Sequence, residues 1–217
     1  MAILSQGILG PLNGKTGPVI TYTRYGQNII RSIGGTKKNK IETPARKAQR
    51  EKIKVCNEFT QAFTGTGFFN KSFPAFGHTG SGYNRATGAL MNLALVTNPT
   101  TAISWPKVLV SKGEIASVDF ATTHINTAGD IVFTWDDNAG TGTAKANDTA
   151  ILVAYFPAFE EAYLRAVFQF SEATRNAGNA VLQLNGKKGV AETWLGFLSA
   201  DGKNAANSVH TGRVLLA

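Results

Sequence analysis

The stretch Ile131-Val132-Phe133-Thr134-Trp135 has the composition that decides the fold of this chain. It is rich in β-branched and aromatic residues and follows a turn-forming cluster at 126–129, which predicts a β-strand. The same period of two recurs from residue 107 onward and predicts strands at 107–111, 114–121, 130–135, 149–156, 163–171, 180–184, 192–199 and 208–215. Short strands at this spacing are typical of a β-sandwich, in which we expect Trp135 and Trp194 to lie in the core.

Helical periodicity precedes these strands. Thr43 and Pro44 are the residue types that begin a helix, and Gly65 and Gly67 are the types that end one. The spacing of its apolar residues predicts one buried stripe. These residues are Ala48, Val55, Cys56, Phe59, Ala62 and Phe63. A second helix is predicted over 83–95, and the phenylalanine-rich segment 66–83 between the two is predicted to be a loop whose aromatic rings fill a core or a subunit joint.

The N-terminal segment is strand-like as well. Residues 19–25 predict a strand, 26–28 a turn and 29–33 a return strand, so we expect a β-hairpin or a pair of extended arms. Such arms can add to the sheet edge of a neighbouring subunit through backbone hydrogen bonds. The residues predicted to form this assembly arm are Val19, Ile20, Tyr22, Tyr25, Ile29 and Ile30.

The positive charge is concentrated at the N-terminal end. Residues 1–54 hold 11 Lys and Arg against two acids, in a chain with a formal net charge of +8. Segment 15–54 is therefore a candidate contact for nucleic acid or an acidic partner surface, although a solvated helix face is the simpler interpretation. The predicted basic patch consists of Lys37, Lys38, Lys40, Arg46, Arg50 and Lys54. We expect a basic N-terminal β-arm and helical domain at 1–105 and an immunoglobulin- or fibronectin-like β-sandwich domain at 106–217.

No catalytic constellation is visible in the sequence, so we do not expect an enzyme or a cofactor. Gly14-Lys15-Thr16 ends like a phosphate-binding loop, but Leu9 stands where that pattern needs glycine. The cluster 136–138 with Asp148 could bind calcium, although Asp and Asn are more commonly turn formers. The single cysteine is predicted to be a buried apolar side chain, and metal ligands are not predicted.

Targeting signals are also not recognised. The first residues lack the charged and apolar regions of a secretory signal, and no apolar run reaches the length of a membrane span. We expect synthesis in the cytosol, with assembly in a virion or outside the cell as open possibilities.

Two resemblances carry further expectations. The strand ending at Trp135, the segment 193–203 and the entry to the last strand at Ser208 resemble fibronectin-type-III or immunoglobulin-like sandwiches. The whole chain is similar to an uncharacterised family of proteins of about this length that is common in Bacteroidota, which implies no established activity. The motifs that carry this similarity are Gly7-x-x-Gly10-Pro11, Gly14-Lys15-x-Gly17, Gly26-Gln27-x-x-x-Arg31, Thr43-Pro44-Ala45-x-x-x-Gln49-Arg50, Ser111-Lys112-Gly113 and Ser199-Ala200-Asp201-Gly202-Lys203.

The expected function is that of a non-enzymatic structural subunit that self-assembles through its N-terminal arms, as a phage or virion component or an extracellular filament. Head-to-tail addition of strands gives a ring or an open filament. Nucleic-acid binding through segment 15–54 is the main alternative. Binding of a glycan or host surface through exposed loop aromatics is a third hypothesis.

Overall fold

The computed structural model describes residues 2–4, 12–24, 26–34, 42–75, 80–97 and 100–217. These residues form thirteen strands in four antiparallel sheets together with three α-helices, so the predicted mainly β fold is confirmed. The chain divides into two compact units, Met1–Lys47 and Ala48–Ala217.

The first unit is a four-stranded meander. Its strands are β1 (Ala2–Leu4), β2 (Leu12–Thr16), β3 (Val19–Arg24) and β4 (Gln27–Ser32), and they lie in sequential order. The predicted hairpin is therefore present as β3 and β4, but its return strand begins at Gln27 rather than at Ile29. The N-terminal residues form a sheet of this chain rather than a pair of extended arms, because β2 also pairs with β3 over Thr16↔Val19, Lys15↔Ile20 and Gly14↔Thr21.

Three helices follow, at α1 (Pro44–Thr60), α2 (Phe68–Ser72) and α3 (Gly82–Leu93). Thr43 caps α1 as predicted, since its Oγ1 accepts a hydrogen bond from the Arg46 amide at 3.4 Å. Ser81 caps α3 in the same way, with its Oγ 3.2 Å from the Asn84 amide. The prediction of a loop over 66–83 was wrong for α2, whose Phe68 and Phe69 pack into a core.

The remaining strands form a small hairpin and a β-sandwich of two sheets. β5 (Leu95–Thr97) and β6 (Thr101–Ile103) form a small hairpin. One sandwich sheet has the order β11-β8-β7, and the other has the order β10-β9-β12-β13. Their strands are β7 (Ala121–Ile125), β8 (Ile131–Trp135), β9 (Thr149–Tyr155), β10 (Ala166–Thr174), β11 (Asn179–Leu182), β12 (Gly189–Leu198) and β13 (Val209–Leu216).

The prediction of strands at 107–111 and 114–121 was wrong. Residues 108–120 instead follow an irregular course beside residues 204–208. Several of their backbone amides donate hydrogen bonds to side-chain and backbone oxygens of that segment rather than to a neighbouring strand. The Val110 amide donates to Ser208 Oγ at 2.8 Å, and the Ile115 amide donates to the Ala205 carbonyl at 3.1 Å. Gly113 lies so close to this segment that a Cβ there would be 2.1 Å from the Ala205 oxygen.

The four-stranded sandwich sheet is covered on both faces, which makes the second unit three-layered. Ile151 and Val153 of β9 belong to the core shared with the helices, while Leu152 and Ala154 belong to the core shared with the other sheet. The predicted domain boundary at 105/106 lies inside this unit. Phe59 of α1 packs on Trp194 of β12 with ring centres 6.2 Å apart, so helices and sheet share a core. Trp135 and Trp194 are both buried, as predicted.

Candidate assembly edge and basic sheet face

The first-unit sheet contains five of the six predicted assembly-arm residues. Val19, Ile20 and Tyr22 lie on β3, and Ile29 and Ile30 lie on β4. Tyr25 lies outside the described residues. Tyr22 is the register partner of Ile29, and Thr21 is the partner of Ile30. The predicted residues are thus adjacent, but they do not share a face.

The two faces of this sheet differ in charge. Successive residues of a strand point to opposite faces, and register partners point to the same face. We call one side the basic face; on β2, β3 and β4 it consists of Asn13, Lys15, Ile20, Tyr22, Arg24, Gln27, Ile29 and Arg31. We call the other the neutral face; among the described residues it consists of Leu12, Gly14, Thr16, Val19, Thr21, Thr23, Asn28, Ile30 and Ser32. All the charged side chains of the described part of this sheet therefore lie on one side.

The basic face combines cations with partly covered apolar side chains. Lys15, Arg24 and Arg31 are exposed, whereas Ile20, Tyr22 and Ile29 are half-buried. The guanidinium carbon of Arg31 is 5.8 Å from the centre of the Tyr22 ring. This distance is within the range of a cation–π contact, so the two side chains are adjacent on this face.

The neutral face buries little. Thr21 is buried, and its Oγ1 donates to the Gly14 carbonyl at 3.2 Å. Ile30 is 69% exposed. Among the described residues, the two hydrophobic cores contain residues between Cys56 and Leu216. The described residues of this sheet belong to neither core.

Among the described strands, β4 is the last strand of this sheet, and one of its edges faces outward. In an antiparallel pair, residues alternate between pairs that exchange backbone hydrogen bonds and pairs that do not. The Ile33 amide donates to the Pro18 carbonyl at 2.8 Å, which sets the phase of this alternation. Asn28, Ile30 and Ser32 consequently direct their backbone amides and carbonyls away from β3. Among the described strands, β3 is the neighbour of β4 in the sheet.

The predicted basic patch is described only in part. Arg46, Arg50 and Lys54 are exposed and lie four residues apart along α1. The Lys54 ammonium is 4.0 Å from the Glu58 carboxylate, a weak surface pair. Lys37, Lys38 and Lys40 lie outside the described residues.

Two residues of the calcium alternative, Asn138 and Asp148, are instead partners of a buried arginine. Asp137 has the turn-forming role that the sequence favoured, since its Oδ1 accepts a hydrogen bond from the Ala139 amide at 2.9 Å. Arg175 is fully buried; its Nη1 donates to Asn138 Oδ1 at 2.6 Å, and its Nε is 3.4 Å from Asp148 Oδ2. Burial lowers the pKa of Arg175, and the nearby Asp148 carboxylate partly opposes that shift. Sequence reasoning missed Arg175, since a lone arginine beside a turn carries no recognisable motif.

A second buried carboxylate joins β12 to β13. Glu192 is 2% exposed; its Oε2 is 2.9 Å from His210 Nε2, and its Oε1 accepts a hydrogen bond from Arg213 Nε at 2.7 Å. Glu192, His210 and Arg213 thus join β12 to β13 through their side chains. The sequence analysis did not predict that these three residues interact. Cross-strand partners become visible only when the register is known.

The candidate phosphate-binding loop and the single cysteine both lie within regular elements of the fold. Gly14, Lys15 and Thr16 lie within β2, so they do not form a phosphate-binding loop. Cys56 is buried, and burial raises the pKa of its thiol. In the part of the chain that the structure describes, no group of three or more His, Cys, Asp and Glu residues could hold a metal ion. The described helices include none that is both long and apolar enough to cross a membrane.

The motifs at 111–113 and 199–203 meet at one end of the sandwich. Ser111 Oγ donates to the Ala206 carbonyl at 2.8 Å, and the Glu114 amide donates to Asn204 Oδ1 at 3.1 Å. The turn itself is closed by Ser199, whose Oγ donates to Asp201 Oδ1 at 2.6 Å. A cleft of about 520 Å³ opens beside this turn, but several of its polar side chains are used in these internal hydrogen bonds. The motifs therefore have a structural explanation.

Together these features define a mainly β protein of two units, a small sheet with one basic face and a β-sandwich backed by helices. The chain belongs to a family of unknown function, DUF6266, whose model matches residues 11–212. A comparison with curated proteins finds no similar protein. None of the solved structures matches either.

Proposed function

We propose that this protein is a non-enzymatic structural subunit that self-assembles through its N-terminal sheet. The observation that carries the proposal is the outer edge of β4, where Asn28, Ile30 and Ser32 present backbone donors and acceptors away from the sheet. Exposed strand edges pair readily with another chain, and natural proteins usually protect them. A phage or virion component and an extracellular filament are the two settings that fit such a subunit.

The composition of the edge supports pairing rather than protection. Proteins commonly protect an edge strand with lysine, proline or a bulge. β4 contains one charged residue, Arg31, whose side chain belongs to the basic face, and its pairing with β3 is regular over six residues. Ile30 adds an apolar side chain next to the free backbone groups.

The occupant we propose is a strand of a second copy of this chain. A small sheet needs a packed hydrophobic face for stability, and the described residues of this sheet bury only Thr21 fully. Strand addition by a second copy would pair the outward-pointing backbone groups of β4 and cover Ile30. We propose that the contact is head-to-tail, with the β4 edge against a strand other than β4 of the second copy. Such a contact generates a ring or an open filament.

The non-enzymatic part of the proposal is supported by how the polar groups are used. Arg175 with Asp148, and Glu192 with His210 and Arg213, stabilise the sandwich from within. Cys56 is enclosed in the core between the helices and the sheet. The partners of these groups are structural. A catalytic site would instead need an accessible nucleophile with an activating base.

We also infer that the sandwich is of the immunoglobulin or fibronectin-type-III kind. If β7 to β13 are labelled A to G, the sheets are ABE and DCFG. The constant immunoglobulin arrangement is ABED and CFG, so the two differ by the sheet that strand D joins. The association of the family with Bacteroidota stays a prediction from the sequence resemblance.

Self-assembly can be tested by light scattering and negative-stain electron microscopy of the full chain at low and high salt. We expect rings or filaments at both salt concentrations, since backbone pairing and apolar burial are only weakly screened. Ile30→Lys should reduce the particle to a monomer. Leu215→Lys is a matched control, because Leu215 is a β-strand residue of equal exposure, at 70%, in the second unit.

Two results would contradict the proposal. One is a wild-type monomer in both salt conditions. The other is assembly that survives Ile30→Lys but is lost in Leu215→Lys, which would place the joint on the sandwich instead.

The third hypothesis, binding of a glycan or host surface, remains a prediction. It is supported by exposed aromatic side chains in loops. Phe120 is 71% exposed and Tyr163 is 72% exposed. Phe120 lies next to β7, and Tyr163 lies in the 3₁₀ helix Ala162–Leu164 between β9 and β10.

A further inference from the structure

The segregation of charge in the first-unit sheet points to a ligand surface that is separate from the β4 edge. Lys15, Arg24 and Arg31 converge on the basic face, and the described residues of that face include no acid. Exposed cations gathered on one face attract an anionic ligand to that face.

The spacing of the cations follows from the register. Lys15 and Arg31 are both partners of Ile20, so they lie on either side of β3 in one row across the sheet. Arg24 lies on β3 itself, four residues after Ile20 and therefore two side-chain positions further along the same face. The three charges surround Tyr22 rather than forming a straight line. An extended anionic chain crossing the face would meet each cation in turn.

The aromatic residue distinguishes one kind of anionic ligand from others. Tyr22 is half-buried and contacts Arg31 at 5.8 Å, and this pair is flanked by Ile29. Unpaired bases stack on aromatic rings and on arginine planes, whereas the bases of a duplex are already stacked on one another. An acidic protein surface would use the cations but would have no comparable use for the ring.

We propose that the basic face of the N-terminal sheet binds single-stranded nucleic acid, with Lys15, Arg24 and Arg31 on phosphates and Tyr22 against a base. This gives the sequence-based hypothesis of nucleic-acid binding through residues 15–54 a defined surface. Contacts to phosphates and stacking carry little sequence information, so binding is expected to be largely independent of base sequence. The β4 edge and the basic face are different surfaces, so assembly and binding can occur on the same subunit.

The test is fluorescence anisotropy of the full chain with a labelled oligothymidylate of roughly 20 nucleotides and a duplex of the same length. Three phosphate contacts should lower the affinity by about 20-fold between about 50 and about 200 mM salt. The single strand should bind more tightly than the duplex at every salt concentration.

Two sets of variants separate charge from stacking. Replacing Lys15, Arg24 and Arg31 together by Gln should reduce the slope of log affinity against log salt by about 2. Tyr22→Leu should weaken binding by roughly 5- to 150-fold and leave that slope unchanged. Replacing Lys107, Lys188 and Lys203 by Gln removes the same net charge from exposed positions of the second unit, and it should change neither quantity.

The proposal is overturned by equal affinity for single strand and duplex, by equal affinity for heparin, or by no binding at about 50 mM salt. It is also overturned if the control triple variant loses as much affinity as the sheet variant. Light scattering on the same samples reports assembly independently, since none of these substitutions alters Ile30 or the outward backbone groups of β4.

Discussion

The guanidinium carbon of Arg175 lies 4.1 Å from the centre of the Phe197 ring, deep inside the sandwich. Arg175 is fully buried and Phe197 nearly so. The Arg175 carbonyl also accepts a hydrogen bond from Trp135 Nε1 at 2.6 Å. One polar residue thus connects both sheets, and its charge is balanced by Asp148 on the same side of the core.

Removing the balancing carboxylate should destabilise the sandwich strongly. In Asp148→Ala the guanidinium of Arg175 would keep its buried position without a counter-charge, which typically costs about 3–5 kcal/mol. Urea unfolding followed by fluorescence should show the loss. Glu172→Gln is the control, because Glu172 is exposed on β10 and its loss should leave the midpoint nearly unchanged. Equal effects of the two substitutions would contradict the importance of the buried pair.

Two glycine substitutions should have opposite effects on stability. Gly113→Ala places a Cβ 2.1 Å from the Ala205 carbonyl oxygen, so the two segments must separate, at a cost of about 1–3 kcal/mol or more. Gly88 lies in α3 with open space around it, so Gly88→Ala should stabilise the protein by up to about 1 kcal/mol. Thermal unfolding of both variants measures the difference. A neutral Gly113→Ala would mean that this close approach is not maintained in solution.

The thiol of Cys56 should be unreactive in the folded protein. Burial raises its pKa above the ordinary value of 9.0, so the folded state keeps the thiol protonated while the unfolded chain ionises. The contribution to stability is present below about pH 9 and is lost as the pH rises further. Disulfide reagents should react only after denaturant is added, and Cys56→Ala should flatten the fall in stability above pH 9. Rapid labelling of the native protein would show that the thiol is accessible.

Proline scanning of β4 should separate its two edges. Ser32→Pro removes a backbone donor that points away from β3, so the sheet should stay folded while assembly is lost. Ile29→Pro removes a donor that pairs with Tyr22 and should disrupt the hairpin itself. Circular dichroism reports folding and light scattering reports particle size. Full assembly of Ser32→Pro would exclude strand addition at this edge.

Local patterns were sufficient for much of the fold. The hairpin at 19–33, the cap at Thr43 and the strand at Ile131–Trp135 depend on neighbouring residues, and sequence interpretation located them to within a few residues. It failed at 107–121, where alternation suggested strands. There the backbone is satisfied by Ser208, Asn204 and Ala205, nearly a hundred residues away, so no local pattern could indicate the irregular course.

The candidate sites divide in the same way. The amino-acid sequence by itself determined that the N-terminal segment is strand-forming and basic, because strand propensity and charge are properties of the residues themselves. Only the tertiary structure decided that Lys15, Ile20 and Arg31 share one row, that Ile30 lies on the opposite face, and that Arg175 is balanced by Asp148. Those relationships depend on strand register and on which side chains pack together, and the propensity and charge of single residues specify neither.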